Sequence, residues 1–249
     1  MIDGPPDPEG RSTQPRRDGE TQPGLLEAMQ SVLYLLVLAL FAITFTLQPI
    51  RIPSESMEPT LLVGDFLLLD KAITAPGGGP LFAPAGVHRG DLIVFHDPVD
   101  DPSVHLIKRV AGIPGDHLRL HQGHLIRNGV PVAEPYARFM RLSAGFAPDP
   151  FRDEFPSLYA MDPRVSPSWW IRLRALDQGG EITVPPGQYF VLGDNRDNSD
   201  DSRYWGFVPR ANIVGEPLFT YFSIDQANAG PDGVNRPRIR WDRLFHVVH

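Results

Sequence analysis

The chain has 249 residues, a net charge of −7 and no cysteine. Its length fits one domain, or one domain with an insertion, and is enough to bury a core. The acidic balance argues against a general nucleic-acid binder, which would show a basic footprint, and the missing cysteines exclude a disulfide framework, thiol catalysis and metal sites built on thiolate.

Residues 1–27 are polar at first, rich in Pro, Gly, Asp and Arg, with no helical or strand period. They read as a disordered tail. No charged residue occurs from Ala28 to Ile50, and Ser31–Leu47 is almost wholly apolar. An uncharged stretch of this length can cross a hydrocarbon core of ~30 Å as a helix. A buried helix would show a polar face, and a cleaved export signal would end in small residues, which Thr44-Phe45-Thr46 does not offer. A membrane-spanning helix over 28–50 is therefore expected. Arg11, Arg16 and Arg17 precede it and only Arg51 follows closely, so the tail should be cytoplasmic and the remainder extracytoplasmic.

Beyond the span the chain reads as β. The runs at 66–70, 91–95, 105–113, 117–121, 189–193, 218–222 and 238–241 are short, apolar or alternating, and bounded by turn residues. Gln122-Gly123 and Asn128-Gly129 are hairpin turns. Pro and Gly together fill 50 positions, which suits strands and turns rather than a helical bundle. Residues 74–87 form a loop. Residues 131–186 are rich in Pro, Phe, Trp and Arg and read as an inserted subdomain, with Ser168–Leu176 as a strand or short helix. The expected fold is mainly β: one amino-terminal transmembrane helix, then an antiparallel catalytic domain from 51–130 and 187–249.

Three segments could carry chemistry. In Ile52-Pro53-Ser54-Glu55-Ser56-Met57-Glu58-Pro59, two serines two apart sit between prolines that stiffen the backbone; a Ser/Pro linker leaving the membrane is the plain alternative. Lys108 is one of only two lysines among 23 basic residues. It lies between apolar residues of an expected strand. If it is buried, its charged form is disfavoured and the neutral amine can take a proton from a serine; if it is at an edge, it snorkels to water. The block from Gly193 to Gly206 is dense in residues that hydrogen-bond their own backbone. As a calcium loop starting at Asp197 it fails, with Ser202 in place of the turn glycine and Val208 in place of the last Glu. Ser199, Asp201 and Arg203 would share one face if the segment were extended. His117, His121 and His124 lack the helical spacing of a metal site.

The order of these pieces resembles the bacterial type I signal peptidases: an anchor, then PSESMEPTL, GDLIVF, KRVAGIPGD and YFVLGDNRDNSDDSRYWGFVP. The resemblance runs from about Leu25 to Val248 and is weak in 131–186. It implies a membrane-bound serine endopeptidase that cuts signal peptides from exported preproteins at the cytoplasmic membrane. Ser56 would be the nucleophile and Lys108 the general base. Ser54 would join the Ser56 backbone N–H in the oxyanion hole. Ser199 would orient the base, with Asp201 and Arg203 in support. Ile52, Pro53, Met57, Leu61, Leu106 and Ile107 would line shallow pockets for small residues. Signal peptides and the lipid bilayer are the implied partners; no cofactor, metal or nucleic acid is implied. Glu55 replaces a glycine common between the two serines, and Leu106 stands where some members carry an aromatic ring. Rival readings are another Ser–Lys protease such as the self-cleaving SOS-type repressors, a non-catalytic membrane-tethered β-domain, and a metal-binding module using the histidines.

Overall fold

A computed structural model describes residues 24–45, 47–71, 86–99, 101–140, 149–159, 162–225 and 237–248, without the side chains of 42–45. Residues 1–23 of the expected tail at 1–27 and nearly all of the loop at 74–87 lie outside the described residues. The chain divides into two units, 1–41 and 42–249. The first contains most of helix α1, Leu25–Phe45. Its described side chains end at Phe41, and among the described residues no helix is long and apolar enough to cross a membrane. Leu33, Leu36, Val37 and Phe41 stand exposed on it. The expected span over 28–50 needs correction at both ends. The helix starts at Leu25, and Leu47–Arg51 is instead strand β1, paired along its whole length with β2 (Asp65–Asp70). Pro49 sits opposite Leu68 in that strand. Proline tolerates an edge position because no ladder hydrogen bond is asked of it on the open side, and β1 ends the sheet path.

The second unit is mainly β. Its principal sheet runs β1, β2, β11 (Ile213–Asp225), β3 (Leu92–His96), β4 (His105–Gly112), β9 (Gln188–Leu192), β10 (Val208–Pro209). Two further short strands, β12 (Arg238–Ile239) and β13 (His246–Val247), pair with β11. The named strand pairings are antiparallel. The thirteen residues of β11 serve β2 and β3 in succession, with register breaks at Ile213/Gly215, Pro217/Phe219 and Thr220/Phe222. Such bulges bend a strand and increase its twist. Alternation places the core: in β2, Asp65, Leu67 and Leu69 turn inward. Leu67 and Leu69 pack with Ile52, Met57, Leu61, Leu92, Val94 and Ile107.

A second sheet is built from β5 (His117–His121), β6 (His124–Arg127), β7 (Val130–Pro131) and β8 (Ile182–Thr183). Gln122-Gly123 and Asn128-Gly129 all have positive φ, as tight hairpins require. Residues 117–131 therefore belong with 182–183 rather than with the principal sheet, so the subdomain draws strands from both sides of the expected boundary at 131. Its core joins Leu118, Leu120 and Leu125 to Phe151 of the short helix α2 (Pro150–Asp153), Phe155, Trp169 and Phe190. Helix α3, Pro167–Leu176, is capped by the Ser166 hydroxyl and resolves 168–176 as helix.

One buried polar group strains this fold. Glu216 on β11 has a buried Oε1 without a hydrogen-bond partner among the described residues. Burial, then Asp91 and Asp70, pushes its carboxyl up to about 7. An acid raised on folding lowers stability as pH climbs from its unfolded value near 4.5 through 7. Glu216→Gln should thus raise the melting temperature above pH 7, by about 1 kcal/mol of stability once solvent screening is allowed for, and bring no gain near pH 4. Thermal denaturation at the two pH values reads this; equal gains at both would rule it out.

Candidate active site

Ser56 sits in a single 3₁₀ turn, Glu55–Met57, directly after β1. Met57 is fully buried in the core beneath the turn, and Leu61 N–H closes back on the Met57 carbonyl at 2.9 Å. Asp65, itself buried, accepts from Leu62 N–H at 2.9 Å, from Ser223 Oγ at 2.6 Å and from the Arg243 guanidinium at 2.6 Å. The loop bearing Ser56 is thereby held at its base by a charge-assisted network.

Lys108 lies in β4 on the same strand face as Leu106 and Val110, the period-2 neighbours. Only 4% of it is exposed, and 8% of Ser56. Lys108 Nζ donates to Ser56 Oγ at 2.7 Å, and Ser54 Oγ lies 3.4 Å from Ser56 Oγ. Burial drives the Lys108 amine down from 10.5 to about 8; Asp201, Asp200 and Asp194 oppose that fall, and Arg203 adds to it. At pH 7 about a tenth of the amines are then neutral, enough for a base whose partner is already in contact. Any activity relying on this amine should climb with pH and level off above about 8, read as kcat/KM from about pH 6 to 10. A flat profile below pH 8 would remove Lys108 from the role of base.

The block after β9 encloses the pair. Asn195 N–H donates to the Ser56 carbonyl at 3.1 Å, Asn195 Nδ2 to the Glu55 carbonyl at 3.2 Å, and Asn198 Nδ2 to Glu55 Oε2 at 3.0 Å. Thr60 Oγ1 donates to Asp194 at 2.6 Å, and Asp194 takes a bidentate pair from Arg109 at 2.9 and 2.8 Å. The segment is not extended, as the alternating reading of Ser199, Asp201 and Arg203 required. Asp201 is instead the N-cap of helix α4, Ser202–Trp205, because its carboxylate accepts the Arg203 N–H. The Arg203 guanidinium grips the same carboxylate at 2.8 Å through Nε and Nη2, and Asp201 also accepts Gly193 N–H at 3.0 Å. Burial would raise the Asp201 carboxyl; Arg203 outweighs it and holds the group below its ordinary value. The carboxylate therefore stays ionised within reach of Lys108.

Ser199 is buried beside Ser56 and Lys108 in one open cleft of about 540 Å³, and among the described residues its hydroxyl has no hydrogen-bond partner. Ser54 and Leu106 line that cleft too. Ile52, Met57, Leu61 and Ile107 instead pack in the core under the serine turn, and Pro53 is exposed. Asp197 and Asp201, proposed members of a rejected calcium loop, are engaged otherwise: Asp197 accepts Met140 N–H at 2.6 Å and faces Arg152 at 3.3 Å. Gly193, Asn195, Thr60, Asp194 and Arg109 were not singled out from the sequence. The density of hydrogen-bonding residues at 193–206 hinted at Gly193, Asp194 and Asn195, whereas Thr60 and Arg109 stand in the PSESMEPTL and KRVAGIPGD motifs with no role assigned.

A serine hydroxyl in contact with a buried amine at the edge of a cleft pairs a nucleophile with a group able to take its proton. Residues 25–222 match the signal peptidase family, peptidase S26. A signal peptidase I of Pseudomonas fluorescens is 38% identical over 217 residues, covering 81% of this chain and 74% of that protein. One from Pseudomonas aeruginosa is 36% identical over 227 residues, with the same coverage. A solved signal peptidase I from Enterococcus faecalis shares 32% identity and a TM-score of 0.38, covering 53% of this chain and 97% of that one. The chain belongs to the peptidase S26 family of signal peptidases. It is a serine endopeptidase, a hydrolase that removes signal peptides.

Proposed function

We propose that Ser56 and Lys108 form the catalytic dyad of this signal peptidase. The observation that carries the reading is the 2.7 Å contact between Ser56 Oγ and the Nζ of a buried lysine brought down to about 8. In the neutral amine the sense of that bond reverses, and Ser56 O–H donates to Nζ. As Oγ bonds to the carbonyl carbon of the scissile peptide, the proton moves to Nζ. The oxyanion lies toward Ser54 Oγ and the Ser56 N–H, donors that matter because charge develops there only in the transition state. Lys108 then returns the proton to the leaving amine, and the mature chain departs. Water, deprotonated by Lys108, attacks the ester, and the proton passes back to Ser56 Oγ. Ser199 Oγ, buried in the same cleft without a partner among the described residues, is suited to accept another Nζ proton and aim the amine. Asp201, clamped by Arg203, fixes the Gly193 backbone next to it.

The residues before the cut would lie extended beside Ile52–Ser54, as an added strand does, with small side chains over a shallow floor whose surface is Pro53 and Leu106 and which rests on the buried Ile52, Met57, Leu61 and Ile107. α1 would anchor the enzyme. Its exposed apolar side chains on every described face suit lipid rather than water. The cluster of Arg11, Arg16 and Arg17 puts the amino terminus in the cytoplasm and residues 47–249 outside the cytoplasmic membrane. Trp241 and Phe245, both exposed, suit a headgroup interface.

Purified full-length enzyme in detergent, mixed with a preprotein, should make one cut after a small-x-small motif, found by sequencing the new amino terminus. Ser56→Ala should make none. Chelators should leave the rate unchanged. Cleavage elsewhere, activity in Ser56→Ala, or a rate abolished by EDTA and restored by metal would each sink the proposal.

A further inference from the structure

The inserted subdomain takes no part in the proton transfers between Ser56 and Lys108, yet its first segment is docked on the block that holds the nucleophile. Glu134-Pro135-Tyr136-Ala137 make a turn, closed by Ala137 N–H on the Glu134 carbonyl at 3.0 Å. Proline in the second place presets such a turn. Three side chains of this segment meet charged groups outside it. Glu134 takes both terminal nitrogens of Arg196, Nη1 at 2.8 Å, in a buried pair. The Arg109 guanidinium, which grips Asp194, lies 3.9 Å from the centre of the Tyr136 ring. Arg138 Nη1 reaches Glu58 Oε2 at 2.9 Å.

The turn lays Arg138 alongside Asn195. Arg138 N–H donates to the Asp194 carbonyl at 2.7 Å, and the Arg138 carbonyl accepts Arg196 N–H at 2.9 Å, a parallel bridge. Asn195 N–H donates instead to the Ser56 carbonyl, so three backbone segments lie side by side, at 138, 195 and 56. The Arg138 side chain then reaches back to the turn that carries Ser56. Glu58 is the residue that ends this turn, and its own N–H closes on the Glu55 carbonyl at 3.0 Å. The contacts form a ring: Ser56 to Asn195, its neighbours to Arg138, Arg138 to Glu58, and two residues of chain back to Ser56. Asn195 holds the turn at Glu55 and Ser56. Arg138 holds its last residue, from the inserted subdomain.

We propose that Arg138 is a positioning residue of this peptidase: through Glu58 it holds the nucleophile turn so that Ser56 Oγ stays aimed at Lys108 Nζ. The inserted subdomain thereby supports catalysis and not only the fold. The inference rests on the dyad reading, because what is held is the turn that bears Ser56. The Arg138 side chain is 46% exposed, so it can be replaced without opening a core, and its effect on rate can be read apart from stability.

The experiment measures kcat and KM separately for one preprotein, with the full chain in detergent. Arg138→Ala should lower kcat about fivefold, the upper scale of a half-exposed ion pair, with KM within about twofold of wild type and the melting temperature close to it. Arg138→Lys keeps the charge without the planar fork and should recover part of the loss. Glu58→Gln should lower kcat to a similar extent. The double variant Arg138→Ala/Glu58→Gln should be no slower than either single one, since the two residues make one contact. The exchange Arg138→Glu/Glu58→Arg should cut faster than either reversal alone. An unchanged kcat in Arg138→Ala, a loss carried by KM, or losses that multiply in the double variant would overturn the proposal while leaving the peptidase reading intact. Full activity in Ser56→Ala would overturn both.

Discussion

Lys108→Arg should yield a folded protein whose kcat/KM for preprotein has fallen by about 10³-fold or more. General-base transfer alone is worth 10²–10⁴, and members of a catalytic unit lose nearly everything when one is removed. Arginine keeps the charge yet cannot release its proton in a protein, so the substitution separates base from cation. Lys108→Met supplies the control for folding. A buried amine lowered from 10.5 to about 8 weakens the folded state wherever it is protonated. The deficit is complete below about pH 8 and fades as pH rises toward 10.5. That gap corresponds to at most about 3 kcal/mol. Lys108→Met should therefore be inactive and, at pH 7, more stable than wild type by up to that amount, with the advantage shrinking at alkaline pH. Cleavage assays paired with denaturation across pH read both halves. If Lys108→Arg kept a tenth of the activity, proton transfer would have to be assigned to another group.

What the sequence could and could not reveal follows from the range of the forces involved. The strands around Lys108 were legible because their period is local: Leu106, Lys108 and Val110 alternate with Ile107 and Arg109 whatever the strand pairs with. Ser56 was legible because two serines between prolines, followed by the Lys-Arg and GDNRDNS blocks, make an unusual order. The end of α1 was not. Uncharged residues continue through Leu47 to Ile50, and hydropathy is blind to the pairing with β2 that turns Leu47–Arg51 into a strand. The membership of β5 in the second sheet was hidden for the same reason, since its partner β8 lies more than fifty residues on. Asp201 misled differently. Its alternation with Ser199 and Arg203 assumed an extended chain, whereas an aspartate whose carboxylate can take the N–H two residues later starts a helix. Least legible was what holds the nucleophile turn. Asn195 N–H on the Ser56 carbonyl and Thr60 on Asp194 join residues more than 130 positions apart, and no local pattern announces such a bond.

Gly193→Ala should be nearly as damaging as loss of the base, although this residue touches no substrate. A Cβ built there would lie 2.2 Å from Ser199 Oγ, 2.5 Å from Ser199 Cβ and 2.6 Å from the Ser56 carbonyl oxygen. Ser199 has a short side chain that cannot swing its Cβ away. The Ser56 carbonyl is backbone, tied to Asn195 N–H at 3.1 Å. Gly193 cannot retreat either, since its N–H is bound to Asp201 and its carbonyl accepts Arg196 Nε at 3.1 Å. The overlap must therefore move the serine turn itself. Overpacking of this kind destabilises by about 1–3 kcal/mol, and a displacement near 1 Å at a reacting atom can lower a rate by about 10²-fold. Both effects should appear in Gly193→Ala, as a lower melting temperature and a reduced kcat. Adding Ser199→Gly separates them. It removes two of the three contacts, so much of the stability should return, while the Ser56 carbonyl contact persists and activity stays low. Wild-type activity in Gly193→Ala would mean that the turn carrying Ser56 yields without consequence. Catalysis would then owe little to the close approach of these two backbone segments, and the absence of a side chain at Gly193 would be incidental.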